Sequence, residues 1–314
     1  MATILVTGGA GYVGSHCCLA LARAGHKVVV YDNLSNGHAK FAKWGPLEQG
    51  DIRDGARLGE VFATHRPDAV LHCAALIEVG ESVKFPERFH EVNVTGAQVL
   101  LNAMHQAGTR AFVFSSSCAV YGAPRRLPMD EAHPFAPASP YGQNKLDAER
   151  LSEAAAVARG GTFAHLRYFN AAGSAWSERI GERHEPESHA IPLALFTLLG
   201  RREAFRIFGE DYDTRDGTCL RDYVHVLDLA DAHVRAIERL LGGGSSLAAN
   251  LGTGDGVTVR ELIAAIERVT GKQVPTIPAR PAAMAIHRRC WPIATLHFNN
   301  GWSPAQDREI IADA

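Results

Sequence analysis

One short stretch constrains this chain more than any other. The apolar run Ile4-Leu5-Val6 leads into Thr7-Gly8-Gly9-Ala10-Gly11-Tyr12-Val13-Gly14, and a helical pattern follows over 13–24. Gly8, Gly11 and Gly14 set a G-x-x-G-x-x-G spacing at a strand-to-helix turn. Without side chains the backbone turns tightly and can approach a pyrophosphate. The helix N-terminus then offers unpaired N–H groups and the positive end of its dipole. Glycine-rich turns are common, but one placed between strand and helix points to dinucleotide binding. The next apolar run ends Val30-Tyr31-Asp32-Asn33. Asp32 stands about 20 residues beyond the glycines, where a carboxylate accepts hydrogen bonds from an adenosine ribose and repels a 2′-phosphate. That favours NAD over NADP. A strand-end Asp that only caps a turn is the other reading of Asp32 alone.

Further apolar runs at 69–72, 111–114 and 163–168 alternate with helical patterns near 58–64, 97–107 and 146–158. Apolar strands separated by helices predict a parallel sheet covered on both faces, and right-handed crossovers make it a Rossmann-like doubly wound sheet. After Asn170 the rhythm breaks. Residues 174–188 are polar and rich in Gly, Glu and Arg, as a loop over an active site would be. Helical patterns return at 191–199, 226–241 and 258–269, with a flexible Gly-Ser loop at 242–246. The expected division is α/β throughout: residues 1–170 plus about 217–250 hold the cofactor. A smaller C-terminal α/β domain, about 171–216 plus 251–314, holds the substrate.

Charge and composition exclude several other classes. Lys+Arg 32 against Asp+Glu 34 leaves no basic stripe for nucleic acid. No apolar run approaches the roughly 20 residues of a membrane helix. The six cysteines include no C-x-x-C, and no charged leader precedes the first strand. A reducing, cytoplasmic setting is expected. Fifteen histidines show no H-E-x-x-H, so no metal is expected.

Tyr141-Gly142-Gln143-Asn144-Lys145 carries the chemistry. A four-residue spacing on a helix puts Tyr141 and Lys145 on one face. A phenol titrates near 10, too high for a base at neutral pH, and a nearby ammonium favours the phenolate. Y-x-x-x-K is frequent by chance. Its weight comes from Ser115-Ser116-Ser117 at the end of the preceding strand, since strand ends carry ligands in open parallel sheets. One of those hydroxyls could hold a substrate oxygen beside Tyr141.

With these residues the sequence resembles the extended short-chain dehydrogenase/reductase family, and within it the UDP-sugar 4-epimerases. The likeness runs from about Thr3 to Gly271. It includes Tyr31-Asp32-Asn33-Leu34-Ser35-Asn36, Gly50-Asp51-Ile52-Arg53, His72-Cys73-Ala74-Ala75 and Asn93-Val94-Thr95-Gly96. It continues through Ser139-Pro140-Tyr141, Arg167-Tyr168-Phe169-Asn170 and Arg221-Asp222-Tyr223-Val224-His225. The resemblance implies NAD along Gly8, Gly11, Tyr12, Val13 and Gly14, with Asp32, Asn33, Asn36 and Gly37 at the adenosine ribose and Asp51 and Ile52 at the adenine. It implies Cys73, Ala74, Ala75 and Ile77 along the cofactor, Asn93 helping to hold it, and Phe169 near the nicotinamide. Ser117, Tyr141 and Lys145 are the implied catalytic group. Asn170, His189, Arg221 and Arg280 are the implied contacts to a UDP-hexose. Some relatives carry Lys where Ile77 stands, so that ammonium's cofactor contact is missing here.

The implied activity is interconversion of UDP-glucose and UDP-galactose by oxidation and re-reduction at C4, in a homodimer. Dehydratases of the same fold place an acid and a base, typically Asp-Glu, where this chain has Cys118-Ala119. Epimerases of UDP-glucuronate, UDP-pentoses or UDP-N-acetylhexosamines, and a non-catalytic NAD sensor, are the rival readings. The likeness fails toward the C-terminus. Residues 272–306 contain no acidic side chain, so an Asp that relatives use at the UDP is absent. Residues 282–300 read either as divergence or as a compensated shift of reading frame.

Overall fold

A computed structural model describes residues 1–126, 129–254 and 256–279. The first half alternates β1 (Thr3–Thr7), α1 (Tyr12–Arg23), β2 (Lys27–Asp32), β3 (Leu47–Gln49), α2 (Gly55–His65) and β4 (Ala69–His72). Two short helices, α3 (Val79–Lys84) and α4 (Pro86–His90), precede α5 (Gly96–Ala107), β5 (Ala111–Ser117), α6 (Pro140–Arg159) and β6 (Thr162–Tyr168). The chain continues with β7 (Asn170–Ala172), α7 (Ala190–Leu198), β8 (Phe205–Phe208), β9 (Leu220–Arg221) and β10 (Tyr223–His225). It ends, within the described residues, with α8 (Val226–Leu241), β11 (Leu247–Leu251), β12 (Val257–Thr258), α9 (Val259–Thr270) and β13 (Thr276–Ala279).

Seven strands form one parallel sheet in the order β11-β6-β5-β4-β1-β2-β3. The apolar strands make this inevitable, because alternating side chains must be buried on both faces. Ile4, Val6, Val28 and Val30 pack toward Cys17 and Leu21 of α1 and Leu229 and Ile237 of α8. Leu5, Val29, Val70 and Phe112 pack toward Phe62 of α2, Leu100 and Met104 of α5, and Ala148 of α6. The strand order reverses between β1 and β4, which opens a crevice at their C-terminal ends.

Helix α6 begins earlier than the apolar periodicity at 146–158 suggests. Ser139 caps it by accepting a hydrogen bond from the Gly142 N–H (3.1 Å), and Pro140 occupies the first turn where no N–H is needed. Tyr141 and Lys145 therefore sit in the first turns of a 20-residue helix. A second core, with Ile191, Ala194, Phe205, Ile207, Leu262 and Ile266, lies under α7, α9 and the paired β8 and β13. The sequence gives little sign of β8 and β13. They are four-residue strands, and in β8 only Phe205 and Ile207 are buried.

A buried polar network ties β5, β6 and α6 together. Arg167 donates to Glu149 from Nε (2.9 Å) and Nη2 (2.6 Å), and to the Tyr121 hydroxyl from Nη1 (2.8 Å). Ser116 also donates to Glu149 (2.5 Å), and Tyr121 donates to Asn250 (2.7 Å). Every partner is inside the fold, so the ion pair is matched rather than stranded.

Candidate active site

The crevice is a cavity of about 750 Å³ running from the glycine turn to the loop before α7. The turn is close-packed against itself. A Cβ on Gly14 would lie 2.1 Å from the Gly8 carbonyl oxygen, and one on Gly8 would lie 2.6 Å from the Ala74 nitrogen. Gly8 also sits at φ +71, the left-handed region that glycine tolerates. A Cβ on Gly11 would meet only the Gly8 oxygen, at 3.2 Å, so its open side faces the cavity. Helix α1 starts there with no side-chain cap and no acid in its first turn. Its leading N–H groups suit a pyrophosphate.

Asp32 ends β2 beside this turn and is buried. It accepts from the Ala10 N–H (3.0 Å) and the Leu34 N–H (2.8 Å). Burial raises its pKa despite those bonds. Gly37 packs on the carboxylate, where a Cβ would lie 2.8 Å from Oδ1. Tyr12, Val13, Asn33, Asn36, Asp51, Ile52, Cys73, Ala74, Ala75, Ile77 and Phe169 line the same cavity. Asn93 does not. It is buried behind the wall, accepts from the Leu76 N–H (2.8 Å) and donates to the Leu76 carbonyl (2.9 Å). Its direct role is to hold the 73–77 segment in place.

Ser117, Tyr141 and Lys145 line the same cavity. The strand's alternation turns Ser116 to the face opposite Ser115 and Ser117. Ser116 points to Glu149 and Ser115 to His233 Nε2 (2.8 Å), leaving Ser117 to face the cavity at the strand end. Lys145 is buried and donates from Nζ to the Ser115 carbonyl (2.8 Å), with Nζ 5.8 Å from the Tyr141 ring centre. Burial lowers its pKa to about 8. Burial pushes Tyr141 up to about 12, against a hydrogen bond from Ser117 that pulls it down. Lys145 stands one helical turn from the phenol, where its ammonium favours the phenolate.

The remaining wall is the loop before α7 together with β7 and β9. Asn170, His189 and Arg221 line the cavity there, and Arg221 donates from Nη1 to the Leu220 carbonyl (2.9 Å). Asn170 donates from Nδ2 to the Asp222 carbonyl (2.9 Å). Arg280 lies outside the described residues. At the exit of β5, Cys118 is buried and its thiol donates to the Arg167 carbonyl (3.3 Å), while Ala119 faces the cavity. That exit carries no carboxylate for elimination of water.

Sequence reasoning missed Glu182, His184 and Glu187, which gather with His189 at this wall. Burial alone would lower both imidazoles. The nearby carboxylates of Glu182 and Glu187 outweigh it and raise His184 to about 9 and His189 to about 10. The signal was present as Glu182-x-His184-x-x-Glu187-x-His189, a loop spacing rather than a helical one. The expectation of no metal overlooked these four residues.

Residues 4–252 match the NAD dependent epimerase/dehydratase family. A UDP-glucose 4-epimerase of Rhizobium meliloti (strain 1021) is 56% identical, covering 99% of this chain and 95% of that protein. The crystal structure of UDP-glucose 4-epimerase from Brucella ovis in complex with NAD superposes with a TM-score of 0.96 at 44% identity, covering 100% of this chain and 97% of that one. The Bifidobacterium longum enzyme in complex with NAD+ and UDP gives 0.92 at 34% identity, covering 99% and 96%.

Proposed function

This chain belongs to the NAD dependent epimerase/dehydratase family, and we propose from that premise that it interconverts UDP-glucose and UDP-galactose with NAD. The observation that carries the reading is the convergence of Ser117, Tyr141 and Lys145 on one cavity with the glycine turn. Gly8, Gly11, Gly14 and the start of α1 would hold the pyrophosphate. Asp32 would hold the adenosine ribose.

Tyr141 would take the proton of the sugar 4-hydroxyl, with Ser117 hydrogen-bonded to the same oxygen. When bound, NAD supplies the acceptor for the C4 hydride, the donor that returns it, and a ring positive charge that favours the phenolate. Lys145, anchored on the Ser115 carbonyl, keeps its charge beside the phenol and holds the helix turn at the strand end. Asn170, Arg221 and His189 would grip the diphosphate side. The 4-keto sugar could then present its opposite face without leaving. Tyr141 returns the proton as the carbonyl is reduced, so the cycle consumes no oxidant.

Cys118 and Ala119 favour epimerisation over dehydration, since neither supplies an acid for the loss of water. The separate cores under the sheet and under α7 and α9 support a division into cofactor and substrate domains. A cytoplasmic homodimer fits the same reading, paired through the α4 and α6 surface, where a groove runs past Pro86, His90, Pro140 and Gln143. The test is chromatography of UDP-galactose incubated with purified protein and no added NAD. UDP-glucose should form, and denatured protein should release nicotinamide dinucleotide. Absence of both would overturn the reading.

A further inference from the structure

The loop between β7 and α7 gathers two carboxylates and two imidazoles, and all four ligand atoms lie within 4.8 Å of one another. His184 Nδ1 stands 3.4 Å from Glu182 Oε1 and 3.8 Å from Glu187 Oε1. His189 Nδ1 stands 3.5 Å from Glu187 Oε1 and 2.5 Å from Glu182 Oε1. Tetrahedral zinc, with bonds of about 2.0–2.2 Å to nitrogen and oxygen, separates its ligands by about 3.4 Å. Three of the four separations are already close to that edge length.

The cluster is also incomplete as it stands. Glu182 Oε1 and His184 Nδ1 are buried with no hydrogen bond of acceptable direction, and the Glu182 side chain is only 10% exposed. Among the described residues, the ion-pair partners of both carboxylates are these two imidazoles alone. Elsewhere the fold satisfies buried carboxylates with arginine, as at Glu149. A divalent cation bound to both rings in their neutral form would take the place of their two ring protons and leave the two carboxylates balanced. An imidazole and carboxylate set suits zinc-class ions better than magnesium or calcium, which take oxygen ligands.

From this geometry we infer that Glu182, His184, Glu187 and His189 form a binding site for one zinc-class divalent cation on the wall of the cavity. His189, with its side chain 45% exposed, leaves the site open from the cavity side. The rings of His184 and Tyr12 are 6.3 Å apart, so the ion would fasten this loop beside the glycine-turn helix. The inference does not depend on the epimerase reading, since any ligand in the cavity would meet the same wall.

The test uses the whole purified chain, stripped with a chelator, reloaded with zinc chloride and desalted. One zinc per chain should remain, and zinc should raise the melting temperature. Cobalt(II) should give visible d–d bands without the near-ultraviolet charge-transfer band of thiolate ligation, which separates this site from the cysteines. His184→Ala and, independently, Glu187→Gln should lose the retained ion. Retention of less than about a tenth of an equivalent by the wild type would overturn the inference. So would a thiolate cobalt spectrum, or equal retention by folded variants. The wild-type arm decides the question even where a variant fails to fold.

Discussion

The two walls of the cavity are built on different principles. The sheet-side wall takes its precision from regular elements. Ser117 ends a strand, Tyr141 and Lys145 occupy one capped helix, and the Glu149–Arg167 network behind them satisfies its own charges. The facing wall joins β7 and β9 to a loop held by its own side chains, with a cluster that leaves Glu182 and His184 atoms unsatisfied.

The largest expected effect falls on the sheet-side wall. Tyr141→Phe should cut turnover about 10²- to 10⁴-fold while the protein keeps its NAD, as general acid–base groups do. Steady-state kinetics and cofactor release on denaturation check both halves. Gly14→Ala places a Cβ 2.1 Å from a backbone oxygen, so the turn must open. The purified variant should retain little or no dinucleotide.

Glu149→Gln leaves Arg167 charged and poorly matched in the interior. Urea unfolding should show a loss of about 3–5 kcal/mol. Arg221→Ala probes the facing wall from β9 instead. Losing a charge-assisted hydrogen bond, worth about 1.5–3 kcal/mol, should raise KM for the UDP-sugar about tenfold or more with kcat nearly kept. A fall in kcat alone would move Arg221 from gripping the substrate to the chemistry.

The smallest effect concerns Lys145, whose folded pKa of about 8 lies below the 10.5 of an exposed lysine. Between those values the unfolded chain binds more protons, so this group adds stability as pH rises from 8 toward 10.5. Against Lys145→Met, the wild type should gain stability over that window. A flat difference would mean the ammonium is not held in a low-dielectric site.

The same contrast decides what could be read in advance. The glycine turn, Asp32, and the Tyr141/Lys145 pair were legible because helix and strand periods fix their geometry. The resemblance picks out Ser117; the strand's alternation separates only Ser116, and Ser115 is set apart by its hydrogen bond to His233. Asn93 was placed on the cofactor by resemblance, but its two hydrogen bonds go to Leu76. The loop cluster was overlooked because a loop imposes no period, and its four residues converge only through the local fold. Burial, which no spacing reveals, raises the Tyr141 phenol and lowers the Lys145 ammonium.

The central claim is that one carbon is oxidised and re-reduced inside this cavity, with Tyr141 carrying only the hydroxyl proton. UDP-galactose deuterated at C4, converted in ordinary water without added NAD, tests it most directly. The account predicts UDP-glucose with the deuterium still on C4. Product carrying solvent hydrogen at C4 would contradict it.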